Sequence, residues 1–384
     1  MSWQSIIGQE RVKNLLRSAW ESGRLPHAML FYGVEGVGKD AIAIEFARTL
    51  NCEKAAWEAC EECPSCKASA KLQHPNIKLV FPLPAGKNED EQHDPYERLD
   101  DAQMIAVREQ IALKAQHPYH EIRVPGASII KISSIRDIKR ESYLHASGKG
   151  RPVVIISGAD RMNIQASNSL LKTLEEPTGN LLLILTTQKK DALLTTITSR
   201  CQHFRFDPLH NEEIDSAIRR EYDISSEQAA LVSRLANGSY RKAVAMLDAD
   251  ALSDRDAIVD FMRAVHSLNP HQIEFHAEKY TGSKDRNAAI DFLSNLIVWL
   301  RDIIALHNGY GDNIINVDLI VPLQKFAELY RTAPIENAIT SIERAIRSIG
   351  QNANILLVFA ELSVQLHRTL QEGKNADDQK LQRR

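Results

Sequence analysis

Two groups of residues in this chain have the types and spacing to do chemistry. The first is "GVEGVGKD", residues 33–40, which sets Gly33, Gly36, Gly38 and Lys39 in the register of a phosphate-binding loop. Glycines let backbone N–H groups turn toward phosphate oxygens, a lysine meets the terminal phosphates, and a following Ser or Thr holds magnesium. Here that last position is Asp40. Its carboxylate would face the phosphates with like charge, a repulsion of order 4 kcal/mol per unit pair at about 4 Å and an effective dielectric near 20. In the first turn of a helix, by contrast, an Asp complements the dipole by about 0.3–1 kcal/mol. Stability alone could keep it there.

A hydrolase of this kind also needs an apolar strand ending in a metal-holding Asp and a water-activating Glu. The strand is "VVIISGAD", and Ser157 and Gly158 stand at those two positions; Asp160 is acidic but lies past the strand end. Metal hydroxyl, metal carboxylate and general base are therefore altered together. That argues for a loop that binds nucleotide weakly or not at all, with ATP hydrolysis lost.

The second group is Cys52, Cys60, Cys63 and Cys66, spaced C-x7-C-x2-C-x2-C. Tight C-x2-C turns offer two thiolates to one ion, and four thiolates close a tetrahedral structural zinc site. An iron–sulfur run would continue to a fourth cysteine at position 70, which is Ala70. Zinc is the expectation, with unmetallated thiols as the bland alternative. His93, His117 and His120 could suggest a second metal site, but a solvated loop explains them more simply.

The elements that must position these residues alternate. "HAMLFYG" (27–33), "IKLVF" (77–81), "VVIIS" (153–157) and "LLLILT" (181–186) are short apolar runs that fit strands buried on both faces of a parallel sheet, with helical stretches between them. The fold class predicted is an α/β domain over 1–206. It carries the cysteine module (52–76) and an insertion at about 84–127, read as partly mobile, with one helix near 101–115. Short helices follow over 207–252, then longer amphipathic ones over 253–370. In the last of these regions Ile290, Leu293, Ile297, Leu300 and Ile304 repeat at helical spacing, as do Ile335, Ile339, Ile342, Ile346 and Ile349. Residues 371–384 read as a disordered tail.

Composition narrows the function classes. A formal net charge of −3 over 384 residues gives no basic excess of the kind a dedicated nucleic-acid binder shows. No apolar run approaches the ~20 residues that cross a membrane, and "MSWQSIIGQE" lacks a signal peptide's layout. A cytoplasmic protein is expected, in which clustered cysteines bind metal rather than form disulfides.

Beyond these patterns, "IIGQERVKNLL", "LPHAMLFYGVEGVGKD", the cysteine module followed by "HPN", "NSLLKTLEEPTGNLLLILTT", "LLTTITSRCQHFRF" and "NGSYRKA" occur in the order found in bacterial clamp-loader subunits of the AAA+ class. The chain resembles that family over roughly residues 1–250, and within it the delta-prime type, whose nucleotide motifs are often degenerate. It departs from the family in the insertion and in having seven rather than the usual eight residues after its first cysteine. The resemblance implies an AAA+ α/β domain, a helical lid and a helical collar. It makes Arg200, in "TSRC", an arginine finger reaching a neighbour's nucleotide site, puts Thr186 and Thr187 in the sensor-1 region, and makes Arg241 sensor-2-like. It also implies partners: gamma/tau and delta subunits in a heteropentamer, and through them a sliding clamp and primed DNA. The expected role is a non-hydrolysing component of DNA polymerase III. The rivals are an ATP-hydrolysing gamma/tau-type subunit and a stand-alone AAA+ remodeller.

Overall fold

The computed structural model describes all residues except 1, 55, 85–94, 98, 145–149, 178, 249–253, 282–285, 312–313 and 382–384. Its first compact unit is Met1–Val244 and its second Ala245–Arg384.

The first unit is built on five parallel strands: β1 (Ala28–Tyr32), β2 (Ile77–Val80), β3 (Val153–Ser157), β4 (Leu182–Thr187) and β5 (Gln202–Arg205), in the order β2-β3-β4-β1-β5. Alternation of side chains splits β1 to β4 between two cores. Met29, Phe31, Val153, Ile155, Leu182 and Ile184 face one side, and Ala28, Leu30, Val154, Ile156, Leu183 and Leu185 the other. Both faces are covered, which is why these runs read as continuous apolar stretches. Four strands lie where the apolar runs predicted them. The fifth was missed because an edge strand needs little apolar character: in β5 only Phe204 is buried.

Helices α1 (Glu10–Glu21), α2 (Lys39–Asn51) and α3 (Pro64–Ala70) precede β2. Helix α2 starts on Gly38, which adopts φ 96°, a left-handed conformation open to glycine at little cost. Between β2 and β3 come α4 (Asp101–Gln116), opened by an Asp100–Gln103 capping box, and α5 (Ile132–Leu144). Then follow α6 (Ile164–Glu175), α7 (Thr195–Thr198), α8 (Asn211–Glu221), α9 (Ser226–Leu235) and α10 (Tyr240–Asp248).

The second unit is helical: α11 (Asp254–Ser267), α12 (Pro270–Thr281), α13 (Arg286–His307), α14 (Ile320–Leu329), α15 (Ile335–Gly350) and α16 (Ile355–Leu381). The two isoleucine-rich repeats fall on α13 and α15. Leu293, Leu300, Ile335, Ile342 and Ile349 are buried in a core with Trp299, Phe261 and Phe359.

One sequence expectation needs correction. The tail read as disordered from residue 371 is helical as far as Leu381. Its polar composition hid good helix formers (Gln371, Glu372, Lys374, Ala376), and extending an anchored helix avoids the cost of a new nucleus. Within the insertion, the helix expected near 101–115 is α4. Phe81, Leu83, Val107, Ile122 and Val124 form a small core of their own beneath α4. His93 lies outside the described residues.

Candidate functional site: a degenerate phosphate loop and a four-cysteine module

Parallel strands place their C-terminal ends together, and ligands in open α/β sheets bind there. Here Ser157 ends β3 opposite Thr186 of β4, and Thr187 lies beside Tyr32 at the end of β1, where the loop Gly33–Lys39 begins. The loop glycines are held by packing. A Cβ at Gly33 would come within 2.2 Å of the Phe206 carbonyl oxygen, and one at Gly36 within 2.1 Å of Ser239 Oγ.

The carboxylate of Asp40 accepts hydrogen bonds from Ser157 Oγ (2.7 Å) and Thr186 Oγ1 (2.6 Å), and Lys114 Nζ lies 3.1 Å away. Burial pushes this acid up, but the Lys114 charge and the two hydroxyls outweigh it and hold Asp40 at about 2. Asp40 at the loop's end, Ser157 at the end of β3 and Thr186 of β4 are thus joined by hydrogen bonds through the Asp40 carboxylate. Thr187 Oγ1 donates to Asp160 at 2.6 Å.

Lys39 donates to the carbonyls of Gly33 (2.9 Å) and Val34 (2.5 Å) in its own loop. Burial brings its ammonium down to about 8 despite the neighbouring Asp40 charge. Arg241 pairs with Glu35 (2.8 Å) and with Glu121, which also pairs with Arg161 (2.6 Å). Burial would raise Glu121, yet Arg241, Arg123 and Arg161 hold it at about 2.

Sequence reasoning missed Lys114, Tyr119 and Glu121, although all three reach this site from the insertion. Only the helix near 101–115 was visible locally; nothing nearby in sequence ties Lys114 to Asp40.

Arg200 stands away from the loop, just before the edge strand β5. It is 37% exposed and pairs with Glu175 of "TLEEP" at 2.8 Å, so the two diagnostic motifs meet. Cys201 packs against the core on that side of the sheet, and burial pushes its thiol up to about 12.

The sulfurs of Cys52, Cys60, Cys63 and Cys66 lie within 4.8 Å of one another and could hold a metal ion. Backbone N–H groups point at three of them: Cys60 N–H at Cys52 Sγ, Cys63 N–H at Cys60 Sγ and Cys66 N–H at Cys63 Sγ, at 3.3–3.4 Å. Such donors stabilise thiolates, so the donor set fits a tetrahedral cation. The module is anchored on both sides. Trp57 stacks on Trp3 at 4.4 Å, and His74 of "HPN" bonds Ser65 Oγ at 2.8 Å. Among the described residues no other group of histidines, cysteines or acids gathers in this way, and His117 and His120 remain outside it.

Fold and site together define a parallel α/β domain whose phosphate-type loop carries Asp40 where a magnesium-binding hydroxyl is expected. A family model described as DNA polymerase III, delta subunit, matches residues 8–210, and the chain belongs to that family. It is 27% identical over 376 residues to DNA polymerase III subunit delta' of Bacillus subtilis (strain 168), covering 97% of this chain and 99% of that one. To the delta' subunit of Escherichia coli (strain K12) it is 23% identical, over 93% and 94% of the two chains. DNA polymerase III subunit tau of Bacillus subtilis (strain 168) is 27% identical over 67% of this chain and 40% of its own length. The delta-prime resemblance read from the motifs therefore holds along nearly the whole chain. No helix among the described residues is long and apolar enough to cross a membrane.

Proposed function

We propose that this chain is the non-hydrolysing, delta-prime-type stator of a cytoplasmic DNA polymerase III clamp loader. It would assemble with gamma/tau and delta subunits in a heteropentamer that places a sliding clamp on primed DNA. The observation that carries the inert-site part is Asp40. Its carboxylate is bonded to Ser157, Thr186 and Lys114, so the groups that would arrange magnesium and water instead satisfy one another. Hydrolysis is delegated to partners, and Arg200 is this chain's contribution: a permanently charged fork suited to charge developing on a transferring phosphoryl group. Its exchangeable, half-exposed pairing with Glu175 keeps it available. The helical second unit is the collar, and α8–α10 form the lid with Arg241 as its sensor-2-like residue. The cysteine module holds one structural zinc.

The test is reconstitution. The purified chain should turn over no ATP alone, yet co-purify with gamma/tau, delta and the clamp as a complex competent for loading. Turnover by the isolated chain that disappears in Lys39→Ala would overturn this reading in favour of a motor subunit.

A further inference from the structure

The inserted segment that follows α4 enters the degenerate phosphate site, and its side chains resemble the parts of a nucleotide complex. Tyr119 lays its ring over the loop: a Cβ on Gly38 would be 3.1 Å from its hydroxyl. The same hydroxyl accepts the backbone N–H of Ile7 at 2.9 Å, and the ring meets Tyr240 edge-on at 4.8 Å. A flat aromatic group bonded to a backbone N–H is how a nucleobase is commonly held. Two residues on, Glu121 puts an anion between Arg241 and Arg161, where phosphate oxygens would find their cations. Lys114, 3% exposed, puts an ammonium against Asp40 and donates to the His120 carbonyl at 2.6 Å. A divalent cation would otherwise balance that carboxylate.

Charge and space agree. Lys39 is turned onto its own loop carbonyls, Asp40 is matched by Lys114, and Arg241 by Glu35 and Glu121. A polyphosphate entering here would have to displace carboxylates from the arginines. The cavity that remains is about 180 Å³, smaller than the ~300–1,000 Å³ of typical ligand pockets.

We propose that the segment Lys114–Glu121 is an intramolecular ligand of this site, with Tyr119, Glu121 and Lys114 standing in for nucleoside, phosphate and divalent cation, so that purine nucleotides are excluded by occupation. This deepens the inert-site reading and rests on it. An altered loop alone would still bind nucleotide weakly, whereas a plugged one must first release the segment.

The experiment compares equilibrium binding of a fluorescent N-methylanthraniloyl-ADP, with magnesium, to three full-length chains. These are the wild type, Tyr119→Ala/Glu121→Gln, and that double variant with Lys39→Ala added. The plugged site predicts at least tenfold tighter binding by the double variant than by the wild type, removed again by Lys39→Ala. Equal affinities in the first two chains, whether both bind or neither does, overturn the proposal. Should the double variant fail to fold, Glu121→Gln alone, which keeps the volume, must still tighten binding by about threefold; unchanged affinity there also overturns it. ATP turnover by the wild-type chain would overturn both this proposal and the inert-site reading, whereas equal affinities without turnover sink the plug alone.

Discussion

The phosphate loop and the cysteine module lie in the same α/β unit and solve opposite problems. At the loop, charged groups of the site pair within the chain: Asp40 with Lys114, Arg241 with Glu35 and Glu121. At the module, four sulfurs converge, three of them receive backbone N–H groups, and the set could hold a metal ion. One site pairs its charges internally; the other gathers donors that could hold an external ion. A motif can therefore be retained for opposite reasons, and local charge balance separates the two.

The comparison is broken most severely at the module. Elemental analysis should find about one zinc per chain. Structural zinc in small modules is bound with an apparent ~10–16 kcal/mol, so Cys63→Ser or strong chelation should raise hydrogen exchange sharply over residues 52–76 and far less elsewhere. A metal-free protein with four titratable thiols and an unchanged melting temperature would contradict the contrast outright. Next in size is Arg200→Ala. An arginine finger is worth about 10³–10⁵ in rate at one site, which in a loader with several sites appears as a fractional loss of clamp- and DNA-stimulated ATPase with assembly intact.

The internal pairing of the loop can be probed by removing one partner. Lys114→Ala leaves Asp40 uncompensated, a change that costs roughly 3–5 kcal/mol for a buried pair and should lower Tm by the order of 10 °C. Acid should do the same more gradually. Asp40 and Glu121 are both held at about 2, below their values in an unfolded chain. Between about pH 4 and pH 2 the unfolded chain binds more protons, so their stabilisation is present above that window and lost as pH falls through it. Thermal melts from pH 5 downward should show this slope, and Asp40→Asn should flatten it. The smallest effect is expected of Lys39→Ala in the assembled complex, with ATPase and loading within about twofold of wild type. A loss larger than that of Arg200→Ala would reverse the division of labour between the two residues.

How much of this was legible in the sequence follows from the range of the interactions. The four apolar strands, the helix after Gly38 and the repeats on α13 and α15 are local patterns and lie where their periodicity placed them. The clustering of the cysteines is local as well, because tight turns bring the thiols together. Strand β5 was invisible because a single buried residue, Phe204, anchors it at the sheet edge. The partners of Asp40 were harder still. Ser157 was noticed as the wrong residue for catalysis, but its bond to Asp40 and that of Thr186 depend on strand ends converging from distant parts of the chain. Lys114 lies on a helix whose apolar residues are spread around its circumference, so no face of α4 announced what it covers.

The glycines of the loop have one more consequence. At Gly33 and Gly36 an added methyl group would strike the Phe206 carbonyl and the Ser239 hydroxyl, groups that belong to the protein itself. Substitution at these positions is thus restrained by ordinary steric exclusion whether or not a nucleotide is accommodated, while Asp40 is held by its own bonds to Ser157, Thr186 and Lys114. A pattern search keyed to glycine spacing would report a nucleotide site here on steric grounds alone, because the scaffold itself requires that spacing.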